Sequence, residues 1–376
     1  MRKTTGPAVP YVLGVLSCVV LSSTLLSAPA VSAPRAPARD SVREKAGERA
    51  TISFTRRYHA VQHGGIVRAA NSAITCAPAP ASAARPCARV QRGGQGANSD
   101  FSMLYTDVDK DPNTYNSSRA RLVLPARSRV SYARLYWGGN LRVGEQKPPR
   151  DNGRVLIAEP GGAYKALRAD TRIAHRTADG SDAFQASADV TRLVRGSGSG
   201  AYTVAQINVA KGRSAVGAWG GWTLVVAYEN ARQPRRDLSV WDGFQPVGAA
   251  RAQESVKLRG LAVPAGASGR AGVVAYDGDR TVRGDALTVA AGGRRARAVS
   301  DAANPADNVM NSTISDFGRS VTAREPAYAN TLGYDSDVFD LKPALSRGAD
   351  SLNFHFSAES RGYFLGALFV QTDSRR

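Results

Sequence analysis

From residue 51 onward the chain alternates apolar and polar positions in short runs. Period-two alternation predicts β-strands, and no stretch sustains a helical recurrence. Strand-like runs fall at 51–58, 66–68, 101–105, 121–124, 130–137, 154–158 and 202–209, then at 255–258, 272–276, 286–290, 296–299, 352–356 and 363–370. Between them lie turn residues, drawn from 37 glycines and 19 prolines together with Asn and Asp. Many short strands separated by such turns predict an all-β fold of jelly-roll-like antiparallel β-sandwiches.

One run differs from the rest. Over 222–228, Trp222, Leu224, Val226 and Tyr228 point one way, while Thr223, Val225 and Ala227 point the other. Both faces are mostly apolar, whereas an ordinary sandwich strand keeps one wet face. This strand is therefore expected between two layers. Pro234 then breaks the run, and 237–241 returns as the next strand.

The pattern also repeats. Ala188-Asp-Val-Thr-Arg-Leu-Val-Arg-Gly precedes Tyr202-Thr-Val-Ala, and Phe339-Asp-Leu-Lys-Pro-Ala-Leu-Ser-Arg-Gly precedes Leu352-Asn-Phe-His-Phe. Asp189 matches Asp340, each placed to cap a brief helical turn ahead of a strand. Upstream, Val155-Leu-Ile-Ala-Glu-Pro-Gly-Gly echoes Leu287-Thr-Val-Ala-Ala-Gly-Gly. An internal duplication follows, with tandem lobes at 51–235 and 236–376.

The N-terminus reads differently. Arg2 and Lys3 precede an apolar run at 11–26 and small residues at 27–33. That is the layout of a secretory signal over 1–33, cut after Ala30 or Ala33. The run is short for a membrane anchor, and Leu16-Ser17 before Cys18 is a poor lipoprotein site. Residues 34–50, rich in Pro, Arg, Ala and Glu, are expected to form a disordered basic arm. No later stretch is apolar enough to span a bilayer, so a secreted or loosely surface-associated protein is expected.

Charge narrows the partners. Lys and Arg number 50 against 31 Asp and Glu, a net charge of +19. Such an excess attracts polyanions; for an exported chain these are an anionic wall polymer or polysaccharide. No nucleic-acid recognition module is visible. Cys76 and Cys87 remain after signal removal and are expected to pair as a disulfide, two reduced thiols being the alternative.

The sharpest local motif is Asp107-Val-Asp-Lys-Asp-Pro-Asn. Asp107, Asp109, Asp111 and Asn113 place oxygens at alternate positions, as at the start of a calcium loop. Pro112 stands where an EF-hand has Gly, and Ser118 where it has its closing Glu. The choice is between a calcium ion completed by distant ligands and a turn capped by its own side chains. Asp335, Asp337 and Asp340, with Asp277, Asp279 and Asp285, form a second acidic set. Asp340 has its capping role, and the rest are candidates for a second ion site or for the paired carboxylates of a glycoside hydrolase. Tyr136, Trp137 and Trp241 are candidates for a sugar-stacking ligand platform, or else for packed core. No nucleophile elbow, zinc helix or phosphate loop is present, so no catalytic residue is assigned.

These stretches together resemble a module of secreted and cell-surface proteins of Gram-positive bacteria, over about residues 51–372. The matching pieces, in order, are Asp107-Val-Asp-Lys-Asp with Asn116-Ser-Ser, Leu135-Tyr-Trp-Gly-Gly, Trp219-Gly-Gly-Trp-Thr-Leu-Val-Val, Asp242-Gly-Phe, Val274-Ala-Tyr-Asp-Gly-Asp, Asn311-Ser-Thr-Ile-Ser and Leu332-Gly-Tyr-Asp. The resemblance implies an extracellular β-rich module of adhesive or structural character and transfers no catalytic residue. The expected function is non-catalytic binding of the cell envelope or an extracellular glycan. The alternatives are a carbohydrate-active hydrolase and a structural component that self-associates through strand edges.

Overall fold

A computed structural model describes residues 48–78, 86–109, 111–178, 180–249, 251–359 and 361–375. The expected signal and most of the arm at 34–50 lie outside these residues. The first half supplies β1 (Glu48–Arg49), β2 (Ile52–Ser72), β3 (Ile74–Cys76), β4 (Met103–Tyr105), β5 (Ser117–Leu122), β6 (Arg129–Asn140), β7 (Arg154–Ala158), β8 (Lys165–Arg168), β9 (Ile173–Ala178), β10 (Ser181–Asp189), β11 (Gly200–Ala205) and β12 (Gly220–Glu229). The second supplies β13 (Arg235–Val247), β14 (Gln253–Val263), β15 (Gly269–Tyr276), β16 (Ala286–Ala291), β17 (Arg297–Ala298), β18 (Ile314–Asp316), β19 (Arg319–Ser320), β20 (Arg324–Glu325), β21 (Tyr334–Asp340), β22 (Ala349–Ser357) and β23 (Tyr363–Asp373).

The fold is all-β, and its wiring occurs twice. A 12-stranded sheet runs β1-β9-β10-β6-β12-β2-β13-β23-β15-β21-β18-β19. Its first half carries the small sheet β20-β5-β11-β7-β8, and its second half the small sheet β14-β22-β16-β17. Thus β10-β6-β12-β2 answers β21-β15-β23-β13, and β5-β11-β7-β8 answers β14-β22-β16-β17. The matched aspartates behave alike: Asp189 accepts from the Thr191 N–H and Asp340 from the Lys342 N–H, each at 2.8 Å. The halves differ at the edge, where β9 is antiparallel to β10 but β18 is parallel to β21.

Three cores hold the layers together. One lies between the first small sheet and the large sheet, with Trp137, Trp222, Leu224 and Val226. The second repeats this with Val273, Phe354, Phe356 and Leu368. The third joins the two halves of the large sheet across Tyr136, Trp219, Phe244, Tyr276, Tyr334 and Phe364. There the Trp219 ring lies 5.8 Å from Tyr276 and 5.5 Å from Phe364. β12 is covered on both sides, Leu224 and Val226 entering the first core while Val225 and Ala227 enter the third.

The two strand runs expected at 51–58 and 66–68 are one 21-residue strand, β2. Its Gly64–Ser72 part pairs with β12, and its part from Ile52 to His63 pairs with β13. Gly64 stands at the crossing with φ +145°, and a Cβ there would meet the Tyr228 carbonyl oxygen at 1.9 Å. Only glycine fits that approach. Glu48 and Arg49, assigned to the arm by composition, pair with Ile173 and Ala174 instead.

β10 and β21 escaped the hydrophobic pattern because they are rich in polar residues that are nonetheless buried. Gln185 on β10 donates to the carbonyls of Gly243 and Gly366 and accepts from the Tyr276 hydroxyl at 3.0 Å. Thr223 and the Tyr334 hydroxyl hydrogen-bond at 2.7 Å across the same seam. Cys76 and Cys87 form the expected disulfide. Among the described residues no helix is long and apolar enough to cross a membrane.

Candidate functional site

The second small sheet carries a basic basin at one rim. β16 and β17 form a hairpin in which Val289 pairs with Arg297. Its turn opens on Gly292 and Gly293, both at positive φ, and this brings Arg294 and Arg295 to the rim. The opposite wall is the turn after β21, where the Leu345 N–H donates to the Leu341 carbonyl at 3.1 Å and the Gly348 N–H to the Leu345 carbonyl at 3.0 Å. That turn brings Ser346 and Arg347 to the same cavity, whose volume is about 590 Å³. Val289, Ala291 and Ala344 form its apolar floor.

Arg294 is half-buried, and its guanidinium donates to the Gly348 carbonyl, which ties the two walls together. Arg295, Arg297 and Arg347 are exposed. Among the described residues no carboxylate pairs with any of these four arginines. An apolar floor lowers the local dielectric and strengthens their attraction for an anion. Composition alone did not single them out. The local signal was the run Gly292-Gly-Arg-Arg-Ala-Arg; Arg347 joins it only through the fold.

In the Asp107–Asn113 loop, the carboxylates and the amide already serve the turn. Asp107 accepts from Ser117 Oγ at 2.7 Å. Asp109 accepts from the Asp111 N–H at 3.1 Å and from Tyr164, and Asp111 accepts from the backbone and side chain of Asn113, both at 2.9 Å. Among the described residues no group of three or more His, Cys, Asp or Glu side chains converges as a metal-ligand set.

Tyr136 and Trp137 correct the platform reading. Both are 0% exposed, so neither offers a ring face to a ligand. Tyr136 belongs to the core between the halves, where its hydroxyl donates to Asp242 at 3.0 Å. Trp137 packs under the first small sheet and donates to the Asn152 carbonyl at 2.8 Å. The cause is that β6 is covered on both faces here, by the core between the halves over Tyr136 and by the first small sheet over Trp137. Trp241 is half-buried against the second core.

The second acidic set is split by burial. Asp335 and Asp337 are sealed, at 0% and 1% exposure, while Asp340 is exposed and caps its turn. Asp335 accepts from the Thr313 N–H at 3.0 Å, and Asp337 from the Ser315 N–H and hydroxyl at 2.9 and 2.7 Å. One oxygen of each has no hydrogen-bond partner among the described residues. Burial, with repulsion from Asp337, holds the Asp335 carboxyl well above the usual range, and burial raises Asp337 against the opposing pull of Ser315 and Arg68. Burial also pushes Asp285 up to about 7.

No family model matches this sequence, and no curated protein does. Among solved structures, recombinant N-glycanase F (PNGase F) is 12% identical, with 72% of this chain and 95% of that one covered at a TM-score of 0.22. A structure of PNGase F, described as a glycosylasparaginase from Flavobacterium meningosepticum, is 10% identical over the same shares at the same score. Overlap at this level carries no argument about this chain.

Proposed function

We propose that this protein is a secreted, non-catalytic β-sandwich protein that binds an anionic polymer of the cell envelope or an extracellular glycan. The arginine basin carries the reading: four guanidinium groups share one cavity with no carboxylate among the described residues to neutralise them. Net charge of +19 adds long-range attraction to the same class of partner. The membership suggested by the motif resemblance, an extracellular module of Gram-positive surfaces, fits this role. Calcium belongs to the proposal only if Asp107, Asp109, Asp111 and Asn113 exchange their present hydrogen bonds for the ion.

A hydrolase reading needs two carboxylates that substrate can reach, and Asp335 and Asp337 are closed to it. Retention of the purified protein on isolated cell walls should fall steeply as salt is raised, because screening weakens exposed charge pairs. Retention that ignores salt, or none at low salt, would refute the proposal.

A further inference from the structure

We propose that the basin between the β16–β17 turn and the turn at 341–348 is a site for the phosphate groups of an extracellular polymer. This rests on the polyanion reading above and names its ligand class.

The repeated fold supplies an internal comparison. In the first half the equivalent hairpin is β7–β8, in which Ile157 pairs with Lys165 as Val289 pairs with Arg297. Lys165 opens β8 as Arg297 opens β17. Directly after β7 stands Glu159, whose carboxylate pairs with Lys165. Two residues beyond Val289, as Glu159 is two beyond Ile157, the matching position is Ala291, which has no acid to offer. The first half thus neutralises its own cation. The second half leaves Arg297 without an acidic partner among the described residues and gathers Arg294, Arg295 and Arg347 around the same cavity.

Like charges held this close repel one another unless an anion fills the space between them. One carboxylate matches a single guanidinium fork. A phosphate carries more oxygens in a tetrahedron and accepts from several forks at once, with planar guanidinium groups the preferred donors. The cavity of about 590 Å³ has room for more than one such group, as a polymer would present.

The test is equilibrium binding of the full protein to linear polyphosphate and to polygalacturonate of matched length, across a salt series. Polyphosphate should bind at least about tenfold more tightly, since each added charge-assisted hydrogen bond is of that order. In R295Q/R297Q/R347Q its affinity should fall at least about tenfold. The slope of log affinity against log salt should drop by about two to three, one unit for each lost cation. Lys165→Gln, at the self-neutralised counterpart, should leave both unchanged. Should the triple exchange disturb the fold, Arg347→Gln alone on its exposed turn must still weaken polyphosphate binding and flatten the slope. Unaltered polyphosphate binding in these variants, or polygalacturonate bound equally well, overturns the phosphate site while leaving the polyanion reading intact. Failure of the unmodified protein to bind either polymer at low salt removes both.

Discussion

Asp242 is where single-residue chemistry matters most to the fold. It takes both nitrogens of a bidentate Arg57 fork at 2.8 Å and the Tyr136 hydroxyl at 3.0 Å, with Arg134 at 3.8 Å. Its side chain is 6% exposed, so removing it strands cations and a phenol rather than merely deleting a pair. Asp242→Ala should cost about 3–5 kcal/mol in urea unfolding. Asp285 has the opposite relation to charge. Burial, with Asp279 adding repulsion, lifts its carboxyl to about 7, and Asp335 and Asp337 are raised too. Groups that titrate higher in the folded state favour folding when protonated. Their contribution is complete below the ordinary carboxylate range and is lost as pH climbs toward neutrality. The melting temperature should therefore fall between about pH 4 and pH 7, and Asp285→Asn should flatten part of that fall. The sequence showed these aspartates but not their burial, because two acids spaced two apart on a strand look the same in water or in a core.

At the scale of elements, β2 decides the architecture. A single strand serves both halves, and Gly64 makes the passage between partners possible. Gly64→Ala should destabilise by about 3 kcal/mol or more, with both strain and collision contributing. Gly266→Ala is the control, since φ is +72° there but nothing lies within 4 Å of an added Cβ; it should cost only about 1–2 kcal/mol. Urea unfolding of the two variants separates collision from strain. The alternation rule found β6, β7, β12 and β23 because each buries at least one apolar face. It passed over β10 and β21, whose polar side chains are buried against partners on other segments: Gln185 against Gly243 and Gly366 and Ser336 against Thr223 across the seam, and Asp337 against Ser315 on the neighbouring β18. The arginine basin was half-visible for the same kind of reason. Arg294, Arg295 and Arg297 are neighbours in sequence, but Arg347 is brought to them by the turn after β21.

For the whole molecule, the third core is the consequential feature. Tyr136 and Trp219 from the first half pack with Phe244, Tyr276, Tyr334 and Phe364 from the second, and the halves lie in one compact unit. Neither half keeps these rings dry alone. Unfolding should be a single transition, with tryptophan fluorescence and far-ultraviolet circular dichroism giving coincident curves. Two separated transitions would show the halves to be independent.

What the sequence determined by itself was whatever depends on neighbours along the chain. Alternation set most strands, turn residues set their breaks, and the spacing around Asp189 and Asp340 set the repeat. The pairing of Cys76 with Cys87 was expected because the third cysteine, Cys18, lies in the apolar run at 11–26. Tertiary structure decided what depends on distant partners. It sealed Tyr136 and Trp137, carried β2 across both halves, buried Asp335 and Asp337, and joined Arg347 to the other arginines. The physical reason is that periodicity records which side a residue faces, whereas burial and charge pairing depend on what another segment brings to that side.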